Sequence, residues 1–424
     1  MSSRWPRTCI VLLLLFLFGA AGPSAARPGP SWPAHRWTPG LNLSETAGRS
    51  TFPSLARVAG GAATWGVWTD YSDGAGEVWG RERPDSAGGW SAPVNLSADA
   101  RADEGAVLYA DRQGRLHLAW TSRAPGAGTR LLYRQWSGGT WAPTTLLHEN
   151  SVYVPSTYGL FFCEDLAGTL WLFRTLGSGV STTRLQSDGW EPLSPWTYVS
   201  GMQGLGAISA GSDGLFHVVA LGQNEGNMGG PYDPFLDDAY YTTTSDGTVW
   251  SPLVNMAGTG TVAFDLGLAW DAGGALHLLW SDIHPLGSVD SVKSAVYERV
   301  LSGGEWGARV ELTQPNTDQA VQDLAVLADP AGRLHLAWSE GVFSGTAAVD
   351  LSIRYLRWDG LWGMEETAFT STLPSLNVDM VLDRLGEPAV AWEEGLSTAE
   401  EVYFSARELV LPFSMFLPAV ERLP

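Results

Sequence analysis

One seven-residue segment occurs twice without change, as Gly-Arg-Leu-His-Leu-Ala-Trp at 114–120 and again at 332–338. A close variant, Gly-Ala-Leu-His-Leu-Leu-Trp, occupies 274–280, and looser copies with the same spacing lie at 62–68, 168–174, 214–220 and 386–392. The copies start 46 to 60 residues apart. A recurrence at this period is typical of propellers and solenoids, in which each repeat is one supersecondary unit. The repeat therefore predicts an architecture built from seven similar units.

One unit reads as four strands. Residues 105–110 form a short apolar strand, 111–114 a tight turn, and 115–120 a strand of alternating apolar and polar residues. Residues 131–136 and 141–147 supply a third and a fourth strand, separated by Ser-Gly-Gly. Four antiparallel strands of this kind make one propeller blade.

Two turn patterns recur at fixed places in the units. The first turn reads Asp-x-x-Gly at Asp111, Asp165, Asp271, Asp329 and Asp383. There the Asp can bond its own backbone and the Gly can take a positive φ, so the motif indicates a turn rather than a catalytic group. The second turn ends in tryptophan at Trp90, Trp141, Trp190, Trp250, Trp306 and Trp362. The repeated tryptophans are predicted to pack blades together.

The last unit lacks a fourth strand, and the missing strand stands at the start of the chain. Residues 37–44, Trp-Thr-Pro-Gly-Leu-Asn-Leu-Ser, match 90–97, Trp-Ser-Ala-Pro-Val-Asn-Leu-Ser, although no strand precedes them. We therefore expect 37–44 to be the outer strand of the last blade, which leaves no open sheet edge. The predicted fold is all-β: a single propeller of seven four-stranded blades over residues 37–408, closed by the N-terminal strand.

The segments outside 37–408 predict export. Arg4 and Arg7 precede an apolar run that ends near Phe18, and small residues follow, as in a secretory signal peptide at 1–26. Residues 27–36 would then be a linker. No segment is apolar over the roughly 20 residues needed to span a bilayer. The apolar tail at 409–424 resembles the Leu-Pro tails of some bacterial exported proteins, and it is either an attachment tail or a cap on the propeller. The expected location is secreted or associated with the cell surface.

Charge and cysteine content exclude several function classes. After loss of the predicted signal peptide, 23 basic residues face 45 acidic ones, a net charge of −22. Nucleic acid is therefore an improbable partner, because phosphate binding needs a basic surface. Cys163 is the only cysteine outside the signal peptide, so neither an intrachain disulfide nor a Cys-rich metal site is expected, and we interpret it as a small buried hydrophobe. We expect a monomer.

Candidate binding residues lie where the repeats differ. The loops between second and third strands vary most, and the longest, 221–238, holds Tyr232, Asp233, Asp237 and Asp238. The next longest are 281–294 and 339–351. Loops on a rigid scaffold are common binding sites. A further set of acids shares one position, two residues beyond the tryptophan that ends the second strand: Asp70, Asp282, Glu340 and Glu394.

These four acids form a predicted carboxylate ring around the channel mouth, which would favour a cation, a Ca²⁺ ion with oxygen ligands, or a basic peptide. The alternative is a solvated polar rim in an acidic protein. No other cofactor is predicted. The repeated histidines His117, His217, His277 and His335 belong to different blades, so we interpret them as structural rather than as ligands of one metal.

The second turns carry a family resemblance. Thr-Ser-Asp-Gly-Thr-Val-Trp at 244–250 and Ser-Asp-Gly-Trp at 187–190 resemble degenerate Asp boxes of sialidase-like propellers, Ser-x-Asp-x-Gly-x-Thr-Trp, with the residue between Asp and Gly missing. The resemblance implies the propeller fold. It would also imply three arginines, a Tyr/Glu pair and an Asp acid, but only Arg57 could face the channel, without the Arg-Ile-Pro motif, and sialidase domains have six blades.

Two function hypotheses follow. The first is an exported, non-enzymatic propeller that binds a ligand, glycan or protein on its loop face, because the blades are uniform and no catalytic set is recognisable. The alternative is a sialidase-like or other glycan-acting hydrolase or lyase. Acids are plentiful enough for a two-carboxylate glycosidase, but the sequence does not select the pair.

Overall fold

The computed structural model describes residues 34–46, 48–58, 63–86, 88–124, 126–151, 159–223, 237–258, 262–288, 291–313, 319–344, 347–396 and 399–410. Over these residues the chain is all-β, without a helix, and none of them forms a helix that could cross a membrane. One compact unit spans Trp37–Glu408. A second comprises residues 1–36 and 409–424, of which only 34–36 and 409–410 are described. The predicted signal peptide, most of the predicted linker and most of the apolar tail lie outside the described residues.

Seven antiparallel sheets follow one another along the chain, and the prediction of seven blades is confirmed. Blades 1 to 6 each have a first, second and third strand followed by one or two short outer strands. In blades 1 to 3 these are Ser50–Arg57, Ala63–Asp70, Glu77–Pro84 and Val94–Asn95; Ala102–Ala110, Leu116–Arg123, Thr129–Ser137, Thr140–Trp141 and Thr145–Asn150; and Gly159–Glu164, Leu170–Leu176, Gly179–Gln186, Gly189–Trp190 and Thr197–Tyr198.

Blades 4 to 6 repeat the pattern, with Met202–Ala210, Phe216–Gln223, Asp237–Thr244 and Val254–Asn255; Val262–Trp270, Leu276–Ser288, Ser291–Ser302, Glu305–Trp306 and Val310–Glu311; and Gln319–Ala328, Leu334–Ser344, Ala347–Trp358 and Glu366–Thr370. Blade 7 has Ser375–Leu382, Pro388–Glu394 and Glu401–Val410.

The N-terminal segment completes blade 7, as predicted. Leu41–Asn42 pairs with Glu401–Val410, with Leu41 opposite Phe404 and Asn42 opposite Tyr403. Ala34–Trp37 joins the same sheet beside Glu401–Val410, so strand structure begins inside the segment expected to be a linker. The last strand is long enough to pair with both N-terminal segments. Leu43, only 1% exposed, packs with Leu55 and Trp68 of blade 1.

The core lies between the blades. The first strand of each blade contacts the first strand of the next, and that of blade 7 contacts that of blade 1, which closes the ring around a central channel. Seven apolar clusters each fill one interface between neighbouring blades. The tryptophans that end the second strands are fully buried there: Trp68, Trp120, Trp280, Trp338 and Trp392. Cys163 is buried too, as predicted, and desolvation raises the pKa of its thiol to about 12.

The tryptophans of the second turns reach across to the preceding blade. Trp141 of blade 2 packs edge-to-face on Trp65 of blade 1, with ring centroids 5.2 Å apart, and Trp306 of blade 5 packs on Tyr241 of blade 4 at 4.9 Å. These contacts explain why the second turn keeps its tryptophan, because each ring ties one blade to its neighbour.

The repeated histidines are hydrogen-bonded inside their own blades. His117 is 0% exposed, and its ring nitrogens lie 2.8 Å from Tyr133 Oη and 2.9 Å from Asp111 Oδ2, the turn aspartate. His335 contacts Tyr355 Oη at 2.8 Å, and desolvation lowers its pKa to about 4. These contacts support the structural interpretation.

Two segments expected to be loops are β-hairpins instead. Strand pairing continues through 281–294 in blade 5 and through 339–351 in blade 6, up to Ser288↔Ser291 and Ser344↔Ala347. Both arms carry β-branched residues, which favour extended structure and allow the ladder to continue beyond the blade.

Candidate active site

The first strands line the channel, and they are bulged at the same level in several blades. The pairing register shifts between Thr51 and Ser54 in blade 1, and equivalent shifts occur in blades 2, 4, 5, 6 and 7. Three non-glycine residues in these bulges have positive φ: Phe52 (55°), Asp323 (53°) and Asn377 (52°). Such conformations are uncommon for side chains of this size and cluster at functional sites. The bulges turn these residues away from the regular ladder.

The bulged residues surround a polar cavity of about 350 Å³. Its lining comes from the first strands of blades 1, 2, 3, 5, 6 and 7, and it includes Asp265, Asp323 and Asp379. It lies near the beginnings of the first strands, which is the side where the loops between second and third strands emerge. A second chamber of about 370 Å³ continues along the channel, and most of the side chains around it are aliphatic or aromatic, among them Tyr109, Phe161 and Leu266.

Asp265 and Asp323 form a close pair across neighbouring blades. Oδ2 of Asp265 accepts a hydrogen bond of 2.7 Å from the backbone N–H of Asp323. Asp323 Oδ2 in turn accepts a bond of 3.1 Å from the Ser339 hydroxyl. Desolvation raises the pKa of Asp265, against the opposing effect of the Asp323 N–H. The pair therefore offers two carboxylates of unequal surroundings at one place in the channel.

Asp379 lies at the junction of the two chambers and lines both. Its carboxylate accepts hydrogen bonds from the backbone N–H groups of Leu55 (2.6 Å) and Met380 (2.8 Å). Although these bonds favour the ionised form, desolvation outweighs them and raises the pKa of Asp379 from 3.8 to about 6. The physical reason is burial, because the protein atoms packed around this carboxyl group limit its contact with water.

One buried carboxylate holds two of the positive-φ residues in place. Glu393, 3% exposed, accepts hydrogen bonds from the backbone N–H of Phe52 and from Asn377 Nδ2, the latter at 2.6 Å. Desolvation raises the pKa of Glu393 to about 7, with a further rise from Glu400 and a decrease from Arg49. Phe52 belongs to blade 1 and Asn377 to blade 7, so Glu393 fixes both sides of one blade interface at the channel. Phe52 remains 45% exposed beside the aspartates.

The lining of both chambers is anionic. No lysine, arginine or histidine is among the described residues that line them. The aspartates of this lining give the channel a negative potential, which disfavours an anionic ligand.

The four acids of the predicted ring lie one strand further from the axis. Each belongs to a second strand, and none lines the polar cavity among the described residues. Because side chains alternate along a strand, a residue two beyond the tryptophan lies on the same side as the tryptophan. Trp280 Nε1 donates to Asp282 Oδ2, and Trp392 Nε1 donates to Glu394 Oε2, both at 3.3 Å.

The remaining two acids also have local partners. Asp70 accepts a bond of 2.8 Å from the Ser50 hydroxyl, and Glu340 pairs with Arg354 at 3.4 Å. Among the described residues no three His, Cys, Asp or Glu side chains are grouped so that they could hold a metal ion. Calcium binding by the ring stays a prediction.

The candidates of the longest loop divide into three cases. Tyr232 and Asp233 lie outside the described residues. Asp237 begins the third strand of blade 4, and only its backbone is described. Asp238 is fully buried, and its Oδ2 accepts a bond of 2.8 Å from Asn255 Nδ2.

Arg57 does not line the channel. Its guanidinium makes two hydrogen bonds with the carboxylate of Asp85, at 2.8 and 2.6 Å. The expectation that it could face the channel is therefore wrong, because the ion pair with Asp85 holds its side chain in a separate pocket that Arg83 and Arg384 also line.

A constant spacing in the sequence could have identified the bulged channel residues. Asp265 and Asp323 stand six residues before the turn aspartates Asp271 and Asp329, and Asn377 stands six before Asp383. The bulge of the first strand is contacted by the residue directly after the tryptophan that ends the second strand. The acids of the predicted ring lie one residue further on. Glu393 makes this contact in blade 7, and in blade 5 the Ser281 hydroxyl accepts the N–H of Asp265 at 3.2 Å.

Comparison with known proteins finds similarity in structure alone. No protein-family model and no curated protein matches the chain. Solved structures do match. A protein of unknown function from Dyadobacter fermentans is 12% identical, with a TM-score of 0.53 over 89% of this chain and all of the other.

Two further matches are named enzymes. A PL25 ulvan lyase bound to -[GlcA(1-4)Rha3S]- is 12% identical, with a TM-score of 0.55 over 87% of this chain and 96% of the other. A polysaccharide lyase is 10% identical, with a TM-score of 0.51 over 82% of this chain and 88% of the other. At this identity the similarity shows the fold.

These comparisons contradict the first function hypothesis. The two enzymes named above are polysaccharide lyases, whereas the sequence favoured a non-enzymatic binding module. They favour the alternative hypothesis, a glycan-acting hydrolase or lyase. Membership in the sialidases is not confirmed, whereas the propeller fold is.

Proposed function

We propose that this protein is a glycan-acting enzyme that hydrolyses a neutral glycan in the polar chamber of its central channel. The observation that carries the proposal is the convergence of Asp265, Asp323 and Asp379 with the exposed ring of Phe52 on one cavity. Carboxyl groups beside an aromatic surface are what glycosidic cleavage requires, namely an acid, a second carboxylate and a platform for the sugar.

Asp379 is the proposed general acid. With a pKa of about 6, the Asp379 carboxyl group is protonated in a large share of the molecules in mildly acidic solution. In the first step it would transfer that proton to the glycosidic oxygen as the bond to the anomeric carbon breaks. The leaving sugar would depart as a neutral alcohol, and Asp379 would be left as a carboxylate.

The pair of Asp265 and Asp323 is the proposed second carboxylate. One of them, ionised, would either accept a proton from the attacking water or bond to the anomeric carbon before water displaces it. The first route inverts the anomeric configuration and the second retains it, so the configuration of the first product assigns the role.

Phe52 is the proposed sugar platform. Its backbone conformation is fixed by Glu393 rather than by burial of its ring, which leaves the aromatic face open to the channel. The anionic lining would repel uronates and sulfated sugars, and this favours a neutral substrate.

Polysaccharide elimination is the second candidate, because the named propellers of similar shape are lyases. Elimination next to a uronate carboxylate needs a base and a group that neutralises the carboxylate. Tyr109 could serve as a base, but the described lining of the chamber offers no cation for the second role. Hydrolysis is therefore the primary proposal. We further propose that the enzyme is exported, on the strength of residues 1–26 alone.

Incubation with neutral polysaccharides (arabinan, xylan, galactomannan) and anionic ones (polygalacturonate, ulvan) tests the proposal. Reducing ends report cleavage of either kind, and absorbance near 235 nm reports the double bond formed only by elimination. We expect reducing ends from a neutral polysaccharide, without the ultraviolet signal, and their loss in Asp379→Asn and Asp323→Asn.

Asp359→Asn, an exposed carboxylate in the second turn of blade 6, is the matched control and should retain activity. If an anionic substrate instead gave the ultraviolet signal, the reaction would be elimination, and the proposal of hydrolysis would be wrong. An absence of cleavage across the whole panel, or full activity in Asp379→Asn, would refute the assignment of this chamber.

A further inference from the structure

The outer strands of three blades carry an asparagine that stabilises the turn after it. Asn42, Asn95 and Asn255 occupy equivalent positions in blades 7, 1 and 4, opposite Tyr403, Trp79 and Tyr240 of the third strands. In each case the side-chain oxygen accepts the backbone N–H three residues further on, at 2.8 Å. The asparagine is thus a structural part of the repeat.

Blade 3 departs from this pattern at one residue. Its outer strand reads Thr-Tyr-Val-Ser at 197–200, and the N–H of Val199 donates to Ser178 O, as that of Leu96 does to Val78 O in blade 1. Tyr198 therefore stands where the other blades have asparagine. It lies opposite Gly179, where they have an aromatic ring. In blade 3 the aromatic residue of this pair is therefore on the outermost strand, whereas in the other blades it is on the third strand.

The turn after Tyr198 does not need the tyrosine. Three residues on, Gly201 has a φ of 85°, and the equivalent residues Ala98 and Gly258 also have positive φ. Glycine takes this conformation at no steric cost, so the turn forms without a side-chain acceptor. Tyr198 is 75% exposed and adds little to the core. Neither the turn nor the packing accounts for an aromatic residue at this position.

Beside Tyr198 a cleft of about 290 Å³ lies between the outer parts of blades 3 and 4. Blade 4 contributes Thr248, Trp250 and Ser251, and blade 3 contributes Thr197 and Ser200 with the tyrosine. The indole of Trp250 is fixed by a hydrogen bond of 3.0 Å from its Nε1 to Gly247 O. No charged residue is among the described residues that line the cleft. Two aromatic rings, one of them rigid, thus stand among hydroxyl groups at an uncharged surface.

We propose that this cleft is a second, non-catalytic binding site for a neutral sugar chain. Aromatic faces cover the C–H faces of sugar rings, and hydroxyl side chains exchange hydrogen bonds with sugar hydroxyls. The described lining offers no cation to pair with uronate or sulfate groups, so a neutral chain is the expected ligand. Among the described residues the cleft and the two chambers of the channel have no lining residue in common, so we expect occupancy of the cleft to be independent of cleavage in the channel. Such a site would hold a polymer at the outer edge of the propeller and raise its local concentration.

The test is affinity electrophoresis of the full chain in gels that contain dextran, arabinan, xylan or galactomannan, with polygalacturonate as the anionic comparison. Tyr198→Asn restores the residue that three other blades carry, so it should fold and melt like the parent. We expect retardation by at least one neutral polysaccharide, with an apparent dissociation constant about tenfold higher in Tyr198→Asn. Leu361→Asn, which changes an 82% exposed residue of another outer turn, is the matched control.

Asp379→Asn separates this site from the channel, because it should abolish cleavage and keep the retardation. Unchanged retardation of Tyr198→Asn relative to the parent would overturn the proposal. Retardation by none of the neutral polysaccharides, or by polygalacturonate alone, would overturn it as well. Loss of cleavage in Asp379→Asn bears on the channel only, so each site can fail without the other.

Discussion

Replacing Asp379 by asparagine should stabilise the protein in neutral solution while it abolishes activity. Desolvation raises the pKa of Asp379 from 3.8 to about 6, so the folded state disfavours the ionised form. The stabilisation that comes from the raised pKa is complete below pH 3.8, the ordinary pKa of the group. It is lost as the pH rises through 6, the pKa in the folded protein. Raising a carboxyl pKa by this amount corresponds to about 3 kcal/mol of folding free energy at pH 8. Asparagine cannot ionise, and its side-chain oxygen can still accept the N–H of Leu55.

Urea unfolding of the parent and of Asp379→Asn between pH 4 and pH 8 measures this effect. The difference in unfolding free energy between the two proteins should change by about 2 to 3 kcal/mol in favour of the variant as the pH rises. Comparing differences across pH removes any constant cost of the substitution. Asp359→Asn controls for the loss of one negative charge from an acidic protein. If the difference in unfolding free energy did not change with pH over this range, the Asp379 carboxyl group would not have a raised pKa. Its role as the general acid would then be refuted as well.

Four other substitutions probe the channel site, a buried histidine contact and the closure of the ring of blades. Phe52→Gly should leave the melting temperature unchanged or slightly higher, because glycine accepts φ of 55°, yet lower kcat/KM about tenfold; a loss of stability instead would make Phe52 a packing residue. Glu393→Gln should remove an inflection near pH 7 from the pH profile of kcat/KM, and a profile identical to the parent's would contradict its positioning role. Tyr355→Phe should cost about 1 to 3 kcal/mol in urea unfolding, because it removes the hydrogen bond of buried His335, and a cost near zero would contradict that contact. Leu43→Ala should cost about 2 to 5 kcal/mol by the same assay if the N-terminal segment closes the ring, and a neutral result would refute the closure.

Much of the fold could be predicted from the sequence because a propeller repeats one local unit. The recurrent Asp-x-x-Gly turn encodes a hairpin wherever it occurs, as the φ of 78° at Gly114 and at Gly168 reflects. The match of 37–44 to 90–97 predicted the closure of the ring for the same reason, because similar segments occupy equivalent positions in similar blades. Strand bounds in the extended hairpins of blades 5 and 6 were missed, because pairing there continues past the point where the repeat ends.

The candidate site could be predicted only in part. The sequence placed acids at a common height in the blades, and alternation along the strand then decided which of them could approach the channel. Asp282 and Glu394 share the side of the buried tryptophans, whereas Glu393, one residue earlier, reaches the bulge. A shift of one residue reverses the side of a strand on which a side chain lies, and the bulges introduce such shifts.

The sequence by itself determined the number of blades, their four-stranded pattern and the segment that closes the ring, because these follow from contacts that recur at fixed spacing. Only the tertiary structure decided that Asp265, Asp323 and Asp379 meet in one chamber, since they belong to three blades and 114 residues of chain separate the first from the last. The pKa of Asp379 also depends on the closed ring, because the first strands of blades 1 and 6 pack against the first strand of blade 7, which carries Asp379.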